Sequence, residues 1–386
     1  MTVRVGINGF GRVGRNYLRG VLERTGGNEH RIQVVAINDI APASTLAHLL
    51  RYDSTYGTLA HRVESNEQSI TVGGIRIGVT ARRDPAALTW GDLGVDVVIE
   101  ATGHFRARDD AALHLKAGAS KVLISAPGTH VDATVVMGVN QHEYDPEHHH
   151  VVSAASCTTN CVVPMLKVLH DEFGVRNGLM TTIHGYTNDQ ALLDGPHKDL
   201  RRGRSAAVSI IPTSTGAARA VGLVLPDPDG VLDGVAVRVP VVDGSLTDLT
   251  VVLGRETEAA EINAAFETAA AEALHGILRV TRTPIVSRDV IGDPASCVID
   301  AELTQARGAL VKVFGWYDNE WGYSNRLLDL TSTSPPGSEP ERNTSITIRH
   351  HPVSRAQRPS ARGPGRRSGP APAEHGERRT QQWSRE

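Results

Sequence analysis

Apolar and polar positions change period twice within the first 40 residues. "TVRVGIN" is a β-branched apolar run, "GFGRVGR" breaks it with three glycines, "RNYLRGVLERTG" spaces its apolar residues as a helix does, and "IQVVAIND" is again strand-like. The pattern predicts a βαβ unit. Further buried strands are predicted at "VDVVIEATG", "ASKVLISAP" and "HHVVSAAS", with the helical stretch "ARDDAALHLKAGA" between the first two. Strands alternating with helices imply a parallel, doubly wound α/β sheet of Rossmann type. Past residue 156 the pattern changes. A helix through "VVPMLKVLHDEF" is followed by the strands "GVAVRVPVVD" and "LTDLTVVLG", the amphipathic helix "AAEINAAFETAAAEAL" and a last helix at "YSNRLLDL". Strands that neighbour strands predict a second α+β layer with a mixed or antiparallel sheet.

Three regions follow: a dinucleotide-binding Rossmann domain over 1–156 completed by a C-terminal helix at about 319–335, a catalytic domain over 157–318, and a tail over 337–386. That tail is rich in Arg, Pro, Ser and Gly and nearly empty of apolar residues, so it is expected to be disordered. From Thr331 onward ten arginines against five glutamates give a formal +5, leaving −8 on the preceding residues of a chain whose net charge is −3. No membrane partner is expected, and no nucleic-acid partner except through contacts of the basic tail. The N-terminus lacks a secretory pattern, no apolar run reaches bilayer length, and three cysteines make no disulfide framework. The chain reads as cytoplasmic.

Gly9, Gly11 and Gly14 form G-x-G-x-x-G between a strand and a helix, where glycine lets a pyrophosphate approach backbone N–H groups at the helix N-terminus. Asp39 ends the second strand, positioned for a ribose 2′-hydroxyl; its carboxylate repels a 2′-phosphate and favours NAD over NADP. It lies 25 residues beyond Gly14, and "ERTGGNEH" is expected to form the loop that absorbs the excess length. Glycines in an ordinary turn, and Asp39 as a strand-end cap, are the competing structural readings.

"SAASCTTNCVVP", residues 153–164, places Cys157 in the first turn of a helix capped by Ser156. Unpaired N–H groups there favour thiolate, which argues for a lowered pKa and a nucleophile. Cys161 lies one turn on, but a regular helix does not aim the two Cβ vectors at each other, so a disulfide is not expected. No cysteine or histidine completes a metal set at motif spacing, and none is predicted. From the pattern alone Cys157 is either a nucleophile or a buried thiol, and His184 in "TTIHGYTNDQ" is the candidate base among 17 histidines.

"INGFGRVGR", "SCTTNC", "HGYTNDQ", "LDGPHKDLRRGR", "PTSTGAARAVG", "RVPVVDGSLTDL" and "WYDNEWGYSNR" occur together and in order. With them the chain resembles the phosphorylating glyceraldehyde-3-phosphate dehydrogenase family from about Val3 to Leu330. The resemblance implies that Cys157 attacks the aldehyde, that His184 activates it, and that phosphate cleaves a thioester to give an acyl phosphate. It implies substrate and phosphate contacts at Ser156, Thr158, Thr187, Thr215, Gly216 and Arg238. Cofactor contacts are implied at Gly9, Phe10, Gly11, Arg12, Val13, Gly14, Asp39, Arg83, Thr102, Ser125 and Asn319, the last holding the nicotinamide carboxamide. Cys161, Glu320 and Tyr323 are implied to be supporting residues.

The cofactor is then NAD, and the partners are a triose phosphate, inorganic phosphate and three further copies in a homotetramer. A loop over roughly 186–209 is implied to pack at subunit interfaces. Gly195 stands before Pro196 where many NAD-specific relatives carry leucine, which weakens steric exclusion of NADP. Two alternatives remain. An erythrose-4-phosphate dehydrogenase would use the same cysteine on a different sugar, and a catalytically silent protein would bind NAD or, through its tail, RNA.

Overall fold

A computed structural model describes residues 2–24, 32–225 and 230–334. The tail expected at 337–386 and most of the loop expected at "ERTGGNEH" lie outside the described residues.

Among the described residues the first sheet has nine strands. Val3–Asn8 sits inside it, hydrogen-bonded in parallel to Ile32–Asn38 on one side and to Val97–Glu100 on the other. Ile75–Thr80 follows Ile32–Asn38, while Lys121–Ile124 and Val151–Ser153 extend the other flank, all parallel. The chain thus reverses its direction of growth beside Val3–Asn8. That reversal opens a crevice outside the carboxyl ends of the strands, where ligands of open α/β sheets bind. The ends are tied by a buried polar rung: Asn38 Nδ2 donates to Asn8 Oδ1 (2.7 Å), and Asn8 Nδ2 donates to Glu100 Oε2 (2.6 Å).

The second sheet is mixed, with eight strands among the described residues. Val175–Gly185 runs parallel to Leu232–Val239 and antiparallel to Ser245–Leu253, which pairs antiparallel with Leu310–Tyr317. Burial alternates strictly along Ser245–Leu253, so one face of the sheet is covered. The helices Cys157–Phe173 and Ala259–Ala271 supply apolar side chains to that core, Leu166, Leu169, Ile262 and Phe266 among them. Each such side chain contributes about 1.5–3 kcal/mol by leaving water.

Two predicted elements are shorter than their patterns suggested. "ARDDAALHLKAGA" forms two single helical turns, Arg108–Ala111 and Leu113–Lys116, broken at Ala112. The strand at "HHVVSAAS" is confined to Val151–Ser153, because Asp145 folds the histidines into a turn, accepting from Glu147 N (2.8 Å) and pairing with His148 Nδ1 (2.7 Å).

The last helix, Trp321–Thr333, returns to the first sheet and packs on Arg12–Arg24. Tyr17 donates to Thr331 Oγ1 (2.9 Å), Arg24 pairs with Asp329 (2.7 Å), and a Cβ at Gly20 would stand 2.6 Å from Leu328 Cδ1. The hydroxyl of Tyr323 donates to Ala155 O (3.0 Å), at a non-glycine residue with φ 56°. Cys157 follows two residues later and packs against both cores.

Candidate active site

Where the two cores meet lies a cleft of about 580 Å³ lined by residues from both sheets. One wall is the glycine turn. Gly9 has φ +89°, and a Cβ there would stand 2.7 Å from Thr102 N; a Cβ at Gly14 would collide with the Gly9 carbonyl oxygen. Both positions therefore require glycine. A Cβ at Gly11 would meet no heavy atom within 4 Å, so here the bare backbone faces open space at the start of Arg12–Arg24. Unpaired N–H groups at that helix start, the Asp39 carboxylate nearby and the Asn319 amide across the cleft are a donor and acceptor set that fits a dinucleotide.

Asp39 Oδ2 accepts from Phe10 N (2.8 Å) and Oδ1 from Ala41 N (2.9 Å), so this carboxylate caps the turn and keeps lone pairs for a hydroxyl. Thr102 and Ser125 line the cleft, each held by Glu100. Glu100 Oε1 accepts from Thr102 N (2.8 Å) and from Thr102 Oγ1, and Ser125 Oγ donates to Glu100 O (2.9 Å). Asn319 is oriented through a relay. Gly185 N donates to Ser245 Oγ (3.2 Å), which donates to Asn319 Oδ1 (2.6 Å), leaving the amide nitrogen of Asn319 for the cleft.

The facing wall carries sulfur and imidazole. Ser156 caps the helix as expected, its Oγ accepting from Thr159 N (3.0 Å), and Cys157 opens the first turn. Cys157 Sγ lies 3.4 Å from His184 Nε2. His184 Nδ1 is 2.6 Å from Gly185 O; with the proton on Nδ1 and donated to that carbonyl, Nε2 presents its lone pair to the thiol. Arg238 Nη1 stands 2.9 Å from Nδ1 and donates to Gly185 O (3.1 Å) and Thr187 Oγ1 (3.1 Å). Burial first, and the Arg238 charge second, push His184 down to about 3.

The expected lowering of the Cys157 pKa does not hold. Burial pushes the thiol up to about 11, outweighing the opposing pulls of Arg238 and of Thr158. Both shifts favour the neutral forms, thiol and imidazole.

Not every candidate side chain faces the cleft. Phe10 is 1% exposed and packed in the first core, so only its backbone borders the turn. Arg12 lines the cleft, but its guanidinium is held by Glu320, with Nε at 2.9 Å from Oε1, and by Asp53 (2.6 Å). Thr158 Oγ1 is buried against Tyr317 OH (3.0 Å), and Cys161 Sγ is buried near Gly315 O. Thr215 and Gly216 follow the strand Ile211–Ser214, with Thr215 Oγ1 accepting from Ala217 N (3.2 Å) and no heavy atom within 4 Å of a Cβ at Gly216. Neither they nor the exposed Arg83 lines the cleft. Tyr186, Asn188 and Pro127 line it as well, although the sequence implied no contact with substrate or cofactor for any of them. Arg238 Nε is buried with no partner among the described residues, which suits an incoming anion.

Residues 3–108 match the family model described as glyceraldehyde 3-phosphate dehydrogenase, NAD binding domain, and residues 156–319 match that of the C-terminal domain. The chain is 59% identical over 333 residues to the glyceraldehyde-3-phosphate dehydrogenase of Streptomyces coelicolor, covering 86% of this chain and 98% of the relative. It is 55% identical to that of Geobacillus stearothermophilus with the same coverage, and 56% identical over 334 residues to that of Mycobacterium avium, covering 86% of this chain and 98% of the relative.

Proposed function

Because the chain belongs to the glyceraldehyde-3-phosphate dehydrogenase family, we infer that it catalyses the NAD-dependent oxidation of glyceraldehyde 3-phosphate in glycolysis. The observation that carries a chemical mechanism is the 3.4 Å approach of Cys157 Sγ to His184 Nε2, across the cleft from the dinucleotide turn. We assign the phosphorylating route, with 1,3-bisphosphoglycerate as product.

Cys157 Sγ forms a bond to the aldehyde carbon as its proton passes to His184 Nε2 and from there to the carbonyl oxygen, which becomes a hydroxyl. His184 then holds the hydroxyl proton while the carbon gives up hydride, leaving a thioester on Sγ. Bound NAD supplies the hydride acceptor. An oxygen of inorganic phosphate attacks the acyl carbon, the carbon–sulfur bond breaks, and the acyl phosphate leaves with Cys157 restored.

Arg238 and Thr187 hold the substrate's own phosphate, a role supported by the unpartnered Arg238 Nε. Ser156, Thr158, Thr215 and Gly216 receive the attacking phosphate. Thr158 serves there by its backbone N–H, since its hydroxyl is engaged by Tyr317. Gly9, Phe10, Gly11, Arg12, Val13, Gly14, Asp39, Arg83, Thr102, Ser125 and Asn319 hold the cofactor, Phe10 by its backbone and Asn319 by the nicotinamide amide. Residues 1–156 with the last helix thus serve the cofactor, and residues 157–318 the substrate.

Exposed Leu192 (75%), Leu193 (77%) and Leu200 (84%), within the 186–209 segment, support assembly into a homotetramer. Among the described residues no helix is long and apolar enough to cross a membrane. A cytoplasmic location is part of the proposal and follows from the glycolytic role. The named relatives favour the three-carbon aldehyde over erythrose 4-phosphate, and the Cys157–His184 pairing favours catalysis over a silent binding role.

The test is nicotinamide reduction followed with each aldehyde, with and without phosphate, and with NAD against NADP. Turnover that requires glyceraldehyde 3-phosphate, NAD and phosphate supports the assignment. Turnover independent of phosphate overturns the phosphorylating route.

A further inference from the structure

A second polar node lies beside Asn319. The Tyr56 hydroxyl, in the turn after the short strand Tyr52–Asp53, stands 2.8 Å from Asp243 Oδ2, 2.9 Å from Asp318 Oδ1 and 3.1 Å from Asp318 Oδ2. Asp243 and Asp318 are 0% and 1% exposed. Both carboxylates belong to the C-terminal half and the tyrosine to the dinucleotide-binding half, so the node joins the two. Asp318 directly precedes Asn319, and Asp243 lies two residues before Ser245, whose hydroxyl orients that asparagine.

Hydrogen counting assigns the protons. A phenol donates one hydrogen and can satisfy one carboxylate; the other meets the phenol's lone pairs and must itself bring a proton. Asp318 is well satisfied as an anion, accepting from Gly292 N (2.7 Å), Glu320 N (2.9 Å) and Trp321 N (2.7 Å). Asp243 accepts one backbone hydrogen, from Gly244 N (2.8 Å) on Oδ1, leaving Oδ2 toward the phenol. The extra proton therefore belongs on Asp243 Oδ2. Burial, with the Asp318 and Glu320 charges, acts in the same direction and pushes Asp243 up to about 8.

Among the described residues no cation pairs directly with either carboxylate. Glu320 is held by Arg12, which also pairs with Asp53. Arg19, Glu23 and Arg288 line a separate cleft of about 400 Å³ that also borders Tyr56 and Trp321. On the catalytic side Asp243 acts on Cys157, which also feels Arg238.

We propose that the Asp243 carboxylic acid, the Tyr56 phenol and the Asp318 carboxylate form a proton-dependent strap that positions Asn319, so that NAD is held tightly only while Asp243 keeps its proton. This rests on the reading of Asn319 as the residue that holds the nicotinamide amide. Above neutrality Asp243 loses its proton, two buried carboxylates then face one phenol, and their repulsion parts Tyr56 from the segment that carries Asn319. Tyr56 and Asp243 are positioning residues that act through Asn319 and Ser245.

The test is calorimetric titration of the full chain with NAD at pH 7 and pH 9.5. With the acid form reduced to roughly one part in 30 at the higher pH, affinity for NAD in the wild-type chain falls by up to about 30-fold. Asp243→Asn, whose amide donates to the phenol at either pH, removes that loss. Tyr56→Phe weakens binding at pH 7 and shows no alkaline step, while Cys157 is alkylated by iodoacetamide at the wild-type rate. Asp243→Asn losing affinity with pH as the wild type does, or Tyr56→Phe binding NAD as the wild type does at pH 7, overturns the strap. Alkylation slowed as much as binding in Tyr56→Phe overturns its specificity for Asn319. Asn319→Ala separates the two readings: weakened binding there with Tyr56→Phe unaffected removes the strap alone, and unchanged binding removes the Asn319 reading beneath it.

Discussion

The two walls of the cleft are built by opposite means. On the cofactor side the functional surface is mostly backbone, with N–H groups bared by Gly11 and a turn shaped by Gly9 and Gly14, all within six consecutive residues. On the substrate side it is side chains gathered across a sheet. Cys157 sits on a helix, His184 lies 27 residues away on one strand, and Arg238 a further 54 residues on in the neighbouring strand, registered directly beside His184. Backbone sites tolerate neighbours and fail through shape, whereas the side-chain site fails through loss of one atom.

Cys157→Ser should produce the largest effect, a fall of about 10⁴-fold or more in kcat, since an oxygen nucleophile cannot replace the thiolate. NAD affinity by calorimetry should stay close to wild type. A comparable loss on both readouts would mean that the walls are not independent. Arg238→Leu should lower kcat/KM for glyceraldehyde 3-phosphate by about 100-fold, the worth of two charge-assisted hydrogen bonds. Its effect on an aldehyde without a phosphate should be much smaller, and equal losses on the two substrates would remove Arg238 from the anion site. Gly14→Ala, by pushing a methyl into the Gly9 carbonyl, should weaken NAD binding by about tenfold or more and leave alkylation of Cys157 unchanged.

Counted per pH unit, the smallest effect is the pH response. With the thiol held toward about 11, alkylation of Cys157 in the cofactor-free enzyme should rise with pH between 7 and 10, by no more than about tenfold per unit. Its sign is fixed, because the reactive thiolate forms as the proton leaves. Arg238→Leu should lower the rate at each pH by removing the charge that favours thiolate. A rate flat from pH 7 upward would show that the thiol is already ionised.

The cofactor wall was the more legible from sequence because its determinants are local. Three glycines between an apolar run and an amphipathic helix dictate both the turn and its exposed N–H groups, and Asp39 at the next strand end completes them. Cys157 was legible as the first residue of a capped helix, but its proximity to His184 depends on the register of a mixed sheet that local periodicity does not encode. The resemblance supplied that pairing.

Physical context also reversed some local inferences. Helix-start N–H groups argued for a lowered thiol pKa, yet burial between two cores outweighs them. Thr158 is implied as a phosphate contact, but Tyr317, 159 residues away, occupies its hydroxyl. The Tyr56–Asp243–Asp318 node left no trace in the pattern, since its three members come from three separate turns.

The clasp between the first and last helices also bears on how the protein is made. Tyr17 cannot donate to Thr331, nor Arg24 pair with Asp329, until a further 314 or 305 residues have been joined to the chain. At synthesis rates of about 5–20 residues per second, that face of the first helix waits roughly 15–60 s for its cover. During that interval the nascent first half presents an incomplete surface, so the half built first along the chain is the last to be completed.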